Sequence, residues 1–478
     1  MNERERTILA LHDYSFPTVR GQFQPLNSLE RRAVGGLAGI FALRMLGLFL
    51  ILPVFALYAE GLTGHTAFLA GLALGVYGLT QAILQIPLGM LSDRVGRKPV
   101  IVGGLLVFGV GSVVAATADS IAGVIVGRAL QGAGAIAAAI IAMIADLTRE
   151  EQRTKAMLLI GVTIGASFVA SLLFGPVLNE LIGVRGIFWL TAGLTLIAIG
   201  VLLVWVPTPV HSRHHVDAQP APAQFAEVLT NRHLLRFDLG IFVLHCVLTA
   251  LFVVVPIALV DNANLPLGQH WQLYLPVMLL CALVVFPTIL LAEGKRQLRL
   301  VFVGAILILA VSQGVLIQGH ESLIQIALAL FLFFLAFSFL EAALPSLISK
   351  TAPVNYKGTA IGVYSTFEFL GAFVGGALAG WLYEKYGMAA VFEFAAATLL
   401  LWFLVALTMA EPDNVTTRLV RVGRRQPSEA KVLAQQLGMI VGVNEAIVIA
   451  EEGVAYLKVD RSRLDEEALE RFILLYDR

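Results

Sequence analysis

Charge is scarce in this sequence. Only 14% of its 478 residues are Asp, Glu, Lys or Arg, and 33 acids balance 33 bases. The balance gives no electrostatic argument for a polyanion, and no nucleic-acid partner is expected. Cysteine is nearly absent: Cys246 and Cys281 both fall inside apolar runs, which excludes a disulfide framework and a Cys-based metal site and leaves two small buried hydrophobes. The phosphate-binding and metalloprotease strings are missing, which argues against an ATP-driven pump and an intramembrane zinc protease. The first thirty residues hold no apolar core followed by a small-residue cleavage site. No cleavable signal peptide is expected, so the first spanning helix must direct insertion. Nothing calls for a cofactor or marks an enzyme.

What the chain has in abundance is hydrocarbon. Hydrophobic residues make up 58% of it and the mean hydropathy is +0.83, outside the range of ordinary soluble proteins. Apolar segments long enough to cross a bilayer run at 34–58, 68–91, 99–117, 121–145, 155–179, 186–207, 237–258, 271–292, 300–318, 321–346, 358–382 and 388–410, twelve in all. The loops after even-numbered segments hold the bases: Arg94, Arg97 and Lys98, then Arg149, Arg153 and Lys155, Arg213, Arg232 and Arg236, Lys295, Arg296 and Arg299, and Lys350 and Lys357. Those after odd-numbered segments hold Arg185 and Lys385. Both termini are therefore expected in the cytoplasm.

These runs divide the chain into a cytoplasmic tail over 1–33, six helices over 34–207, a linker over 208–236, six helices over 237–410 and a soluble domain over 411–478. A shift of 200 residues places Pro87, Leu91 and Asp93 on Pro287, Leu291 and Glu293, as expected of two duplicated halves. After Glu411-Pro412 the pattern predicts a strand over 416–422, a helix over 427–441 opened by Pro427, strands over 445–450 and 454–459, and a last helix capped by Asp465. This β-α-β-β-α order is ferredoxin-like. His211, His214 and His215 in the linker lack carboxylates or Cys at ligand spacing, and no metal site is expected there.

Between the second and third segments stands Gly89-Met-Leu-Ser-Asp-Arg-Val-Gly-Arg-Lys-Pro99. Gly89 lets another helix approach the backbone, Gly96 supplies a positive φ, and Pro99 fits the start of a helix. Its bases alone would serve as an orientation signal. The whole string, however, resembles the signature loop G-x-L-[AS]-D-R-x-G-R-[KR] of the major facilitator superfamily, with every constrained position matched. Arg128, Gln131, Gly132 and Gly134 match that superfamily's R-x-x-x-G-x-G pattern, although the glycines also have a plain packing reading. Gly165, Gly175 and Pro176 resemble its antiporter motif, but Val177-Leu178-Asn179 departs from the usual small residues.

The resemblance implies an all-α polytopic membrane protein of the major facilitator fold, with the small α+β ferredoxin-like domain appended. It implies a monomeric, proton-coupled carrier of a small molecule in a bacterial inner membrane, working by alternating access as an exporter. Gly89, Asp93, Arg94, Gly96, Arg97, Lys98 and Asp146 would form a conformational latch, with Asp93 against the start of the eleventh helix and Asp146 within reach of Arg97.

Charges inside the spans are costly in hydrocarbon and must face a partner or water. Arg44, about 15 Å into the first segment, Gln81, Gln85, Arg128, His245 and Glu368 are the candidate residues of the substrate or proton pathway. Glu368 lies mid-helix beside Ser365, Thr366 and a run of glycines, a setting for a carboxylate that titrates during transport. Glu341 and Glu393 lie nearer helix ends, where a structural role is as reasonable. His245 on an apolar face also reads as a hydrogen-bonded core histidine. The rival function is a membrane sensor that binds a ligand and signals through the terminal domain without net transport.

Overall fold

A computed structural model of the chain describes residues 26–209, 224–294, 298–353, 356–409, 415–423, 425–450, 453–460 and 463–476. The three linker histidines lie outside the described residues. Among the described residues, eleven helical stretches are long and apolar enough to cross a membrane. One of them, Lys155–Val204, is 50 residues long, or about 75 Å at the helical rise, more than twice the hydrocarbon thickness. Gly183 breaks it with φ 68° and ψ 170°, a conformation costly for any residue with a Cβ. It supplies the fifth and sixth helices, so the twelve expected spans are borne out.

The others are the first (Ser28–Phe49), second (Ala67–Val95), third (Arg97–Thr117), fourth (Ile121–Leu147), seventh (Arg232–Ile257), eighth (His270–Gly294), ninth (Leu298–Gly319), tenth (Leu323–Thr351), eleventh (Lys357–Tyr386) and twelfth (Met388–Leu407). The first starts earlier than the sequence predicts because Asn27 and Glu30 form a reciprocal capping box. That box satisfies helix-end donors ahead of the apolar run. The helix also stops at Phe49, short of the predicted 58, and resumes as a turn of helix over Phe55–Ala59. Pro53, which has no N–H to donate, falls in the gap.

The terminal domain consists of β1 (Val415–Arg421), α1 (Pro427–Gly438), β2 (Val443–Ile449), β3 (Val454–Asp460) and α2 (Glu466–Tyr476). Its strands lie in the order β1-β3-β2, with β3 antiparallel to both neighbours. That is the split β-α-β arrangement of a ferredoxin-like unit. Asp465 accepts from Ala468 N at 2.9 Å, capping α2. Ala455, Leu457 and Val459 pack with Leu433, Leu437 and Leu469 of the two helices. Alternation sends Val454, Tyr456 and Lys458 to the opposite face, yet these too are buried. That face docks on the membrane region, where Lys458 Nζ donates to Thr351 O at 3.1 Å and Ala352 O at 2.5 Å. A cation there meets the negative end of the tenth helix. Burial pushes the Lys458 ammonium below the ordinary lysine range, opposed by nearby Glu445. The end of the bundle that carries this domain is called the tail side below, and the opposite end the far side.

Candidate functional site

The second and eleventh helices lie side by side and antiparallel, with glycine on both surfaces. A Cβ on Gly71 would come within 2.9 Å of Gly380 Cα, and one on Gly75 within 2.7 Å of Phe373 O. Only glycine permits this approach. Along the same pair toward the tail side, Gln85 Nε2 donates to Thr366 Oγ1 at 3.1 Å, so Gln85 joins the two six-helix halves.

In the first half the structure brings together Arg44, Gln81 and Arg128. Arg44 is 2% exposed and donates from Nη2 to Gln81 Oε1 at 2.6 Å. Arg128 is 1% exposed and donates from Nη1 to Gln131 Oε1 at 2.8 Å, and Gln131 Nε2 in turn donates to Ser112 Oγ at 2.8 Å. Both guanidiniums lie over the ring of Tyr77, at 5.9 and 5.1 Å from its centroid. Neither has a carboxylate partner among the described residues; amide oxygens and an aromatic face carry the stabilisation instead. Tyr77 then meets Phe369 of the eleventh helix edge-on at 6.4 Å. Sequence reasoning misses Tyr77, which directly precedes Gly78-Leu79-Thr80-Gln81.

The second half holds the opposite chemistry. His245 of the seventh helix, Glu341 of the tenth and Glu368 of the eleventh present ligand atoms within 4.8 Å of one another. His245 Nε2 stands 3.6 Å from Glu368 Oε1 and 4.0 Å from Glu341 Oε2. Its Nδ1 lies 3.3 Å from Ile241 O, so the ring can donate to the helix backbone from Nδ1 while Nε2 faces the two carboxylates. The three side chains are 15%, 36% and 25% exposed in chain order, although Glu341 Oε2 itself is buried. The structure thus sets Glu341 beside His245 and Glu368. Glu393 is exposed on the twelfth helix.

On the far side of this cluster the ring of Phe337 sits 6.0 Å from His245. Phe168 of the fifth helix packs on Phe337 at 6.2 Å, Phe334 at 6.0 Å and Phe252 at 6.2 Å. Phenyl rings from both halves therefore pack together on the far side of the cluster.

The signature loop folds as its residues predict at Gly96, which joins the second and third helices with φ 96°. Arg97 is the centre of the loop: it contacts Asp93, donates to Ser92 Oγ at 2.7 Å, and donates from Nε to Asp146 Oδ2 at 2.9 Å. Lys98 Nζ donates to Val206 O at 2.6 Å at the end of the sixth helix, while Arg94 is exposed. Two expectations change. Asp93 is engaged by Arg97 of its own loop and not by the start of the eleventh helix, because in this conformation the tight seam between the two helices lies at the far side. Gly89 faces the fourth helix, where an added Cβ would stand 2.9 Å from Ala138 Cβ, and not the eleventh. Sequence reasoning also misses Glu30, whose carboxylate accepts from Arg149 Nε at 2.9 Å and from Arg149 N at 3.0 Å. The Asn27-x-x-Glu30 spacing is the available signal.

The comparisons agree with this architecture. The sequence profile of the Major Facilitator Superfamily matches residues 37–376 and 297–449. The Inner membrane transport protein YajR of Escherichia coli (strain K12) is 43% identical over 446 residues, 93% of this chain and 97% of that protein. An uncharacterized transporter, BU466, of Buchnera aphidicola subsp. Acyrthosiphon pisum is 36% identical across 73% of this chain and 90% of its own. The Multidrug resistance protein MdtH of Aeromonas hydrophila subsp. hydrophila is 27% identical across 81% of this chain and 94% of its own. Among solved structures, a mutant of the nucleoside transporter NupG aligns with TM-score 0.63 at 12% identity over 78% of this chain and 99% of that one, a likeness of fold. This chain belongs to the Major Facilitator Superfamily and is a membrane transporter.

Proposed function

We propose that the protein is a proton-coupled exporter of a small molecule, acting as a monomer by alternating access in the bacterial inner membrane, with both termini in the cytoplasm. The observation that carries the coupling is the convergence of His245, Glu341 and Glu368 from three helices. Two ionised carboxylates at such separation leave one negative charge unbalanced even beside a protonated imidazole. Among the described residues, no Lys or Arg forms an ion pair with them. Protons supply the missing positive charge, and partial water access gives them a route. A substrate that competes for the cluster releases them, which is antiport. The name of the MdtH relative, a multidrug resistance protein, supports the outward direction, and the YajR name supports the inner membrane. The clustering of bases on the tail side supports a cytoplasmic tail side.

In this reading Gly89–Pro99 and Asp146 form the cytoplasmic latch, with Asp93 leaving Arg97 for the first turn of the eleventh helix when that side closes. Arg44, Gln81, Gln85 and Arg128 line the path from the first half. The terminal domain takes a ligand of its own or steadies the tail side. The comparisons are with transporters and lend nothing to the sensor reading.

The test uses proteoliposomes with a trapped pH dye and compounds first selected because they thermally stabilise the purified protein. Those compounds should drive proton movement in the wild type. Stabilising compounds that move across the membrane without any proton flux would end the coupling proposal.

A further inference from the structure

The far-side end of the second helix begins with Thr66 as cap, whose Oγ1 accepts from Leu69 N at 3.2 Å. That leaves Phe68 N among the helix-end donors with no partner inside its own half. The partner comes from the other half of the molecule: Glu384, near the end of the eleventh helix, accepts from Phe68 N through Oε2 at 2.8 Å. The adjacent Lys385 lies over the rings of Trp381 and Tyr386 at 5.3 and 5.4 Å. Among the described residues no cation forms an ion pair with Glu384. A carboxylate there meets both an unpaired N–H and the positive end of a helix dipole.

We propose that Glu384 is a gating residue of the transport cycle, a far-side latch that holds the second and eleventh helices together when that side is shut. The antiparallel pair makes the arrangement reciprocal. Each helix ends beside the start of the other, so an acid near either end can cap its partner. Glu384 does so here, whereas Asp93, the acid at the tail-side end, is turned onto Arg97. The glycine seam explains why the latch sits at this place. With backbone against backbone from Gly380 to Gly75, the two helices meet directly along this seam, and the charged contact at its rim stands where the seam starts to part. The inference does not depend on proton coupling; it needs only that the two halves move.

The experiment is cysteine labelling. With Cys246 and Cys281 replaced by Ala, Leu74→Cys, which is buried beneath the seam, reports opening of the far side to a maleimide in the purified full chain. Glu384→Ala should raise the labelling rate about two- to fivefold, the range for a carboxylate at an exposed helix N-terminus. Glu384→Gln keeps the size and the acceptor but loses the charge, and should raise it less. The Gln variant decides the matter if the Ala variant fails to fold. Equal rates in wild type and both variants, or in wild type and the Gln variant alone where only that folds, would overturn the latch.

Discussion

Arg44 gives one hydrogen bond to Gln81, at 2.6 Å and wholly inside the first six-helix half, while its Nε and Nη1 have no acceptor among the described residues. A buried guanidinium that depends on one amide and two aromatic faces is poorly compensated. Removing the amide should therefore hurt more than removing the charge. Gln81→Leu strands the cation and is expected to destabilise the protein by about 3–5 kcal/mol, whereas Arg44→Met, similar in volume and uncharged, should melt at or above the wild-type temperature. Thermal unfolding followed by tryptophan fluorescence separates the two. If Arg44→Met keeps stability but loses transport, the arginine is retained for function.

Glu368 stands 3.6 Å from His245 Nε2 and is the group expected to carry the coupled proton. Glu368→Gln should abolish proton-linked uptake and spare substrate counterflow, because exchange of substrate for substrate needs no change of protonation. Glu341→Gln should act in the same direction and more weakly, since Glu341 is farther from Nε2 and more exposed. A Glu368→Gln protein whose transport keeps the wild-type pH dependence would take this carboxylate out of the mechanism.

Local chemistry is legible from sequence, and the convergence of distant residues is not. Gly96 can be read as a turn because one residue type alone tolerates its φ, and the terminal domain because Pro427, Asp465 and strand alternation each act over a few residues. The sequence gives only the distance of Glu341 from its own helix end. Its actual setting is fixed by how the seventh, tenth and eleventh helices cross, and no local pattern encodes that. Gly89 shows the same limit: a missing side chain predicts that a helix comes close but not which one. Glu30 stands ahead of the first apolar run, where a charge needs no partner, yet its capping box lengthens that helix and delivers the carboxylate to Arg149.

Arg97 holds two carboxylates with different surroundings. The Asp146 side chain is 0% exposed and that of Asp93 is 30% exposed. Asp146→Asn removes the buried partner and is expected to cost several kcal/mol of stability. Asp93→Asn should leave the melting temperature nearly unchanged and alter the balance of conformations by about 0.3–2 kcal/mol, the range for a carboxylate at a helix N-terminus. Gly89→Val should behave like a core defect of the first half, pushing the second helix off the fourth at Ala138. Melting curves and labelling of a tail-side cysteine on the same three variants check this. Equal stability losses for the two aspartates would contradict the assignment of Asp146 as structural anchor and Asp93 as mobile arm.

The last prediction concerns Lys458, where the terminal domain meets the membrane region. Its ammonium is drawn out of water to reach Thr351 O and Ala352 O, and burial lowers its pKa. The folded state therefore holds this proton less tightly than the unfolded chain does, so by linkage this group adds to stability as pH rises from its folded toward its unfolded value. The two hydrogen bonds matter more. Hydrogen bonds from a charged donor to helix-end carbonyls contribute about 1.5–3 kcal/mol each, less the cost of desolvating the ammonium. Lys458→Ala should thus release the domain while leaving β1-β3-β2 intact, because the opposite face of β3 keeps its contacts with Leu433, Leu437 and Leu469. Hydrogen exchange should accelerate at Val454 to Val459 only modestly, and protease cleavage between the twelfth helix and β1 should accelerate severalfold. Lys458→Arg, which can reach the same carbonyls, should restore protection in part. Unchanged cleavage in Lys458→Ala would mean that the apolar patch around Tyr456 holds the domain in place without the lysine.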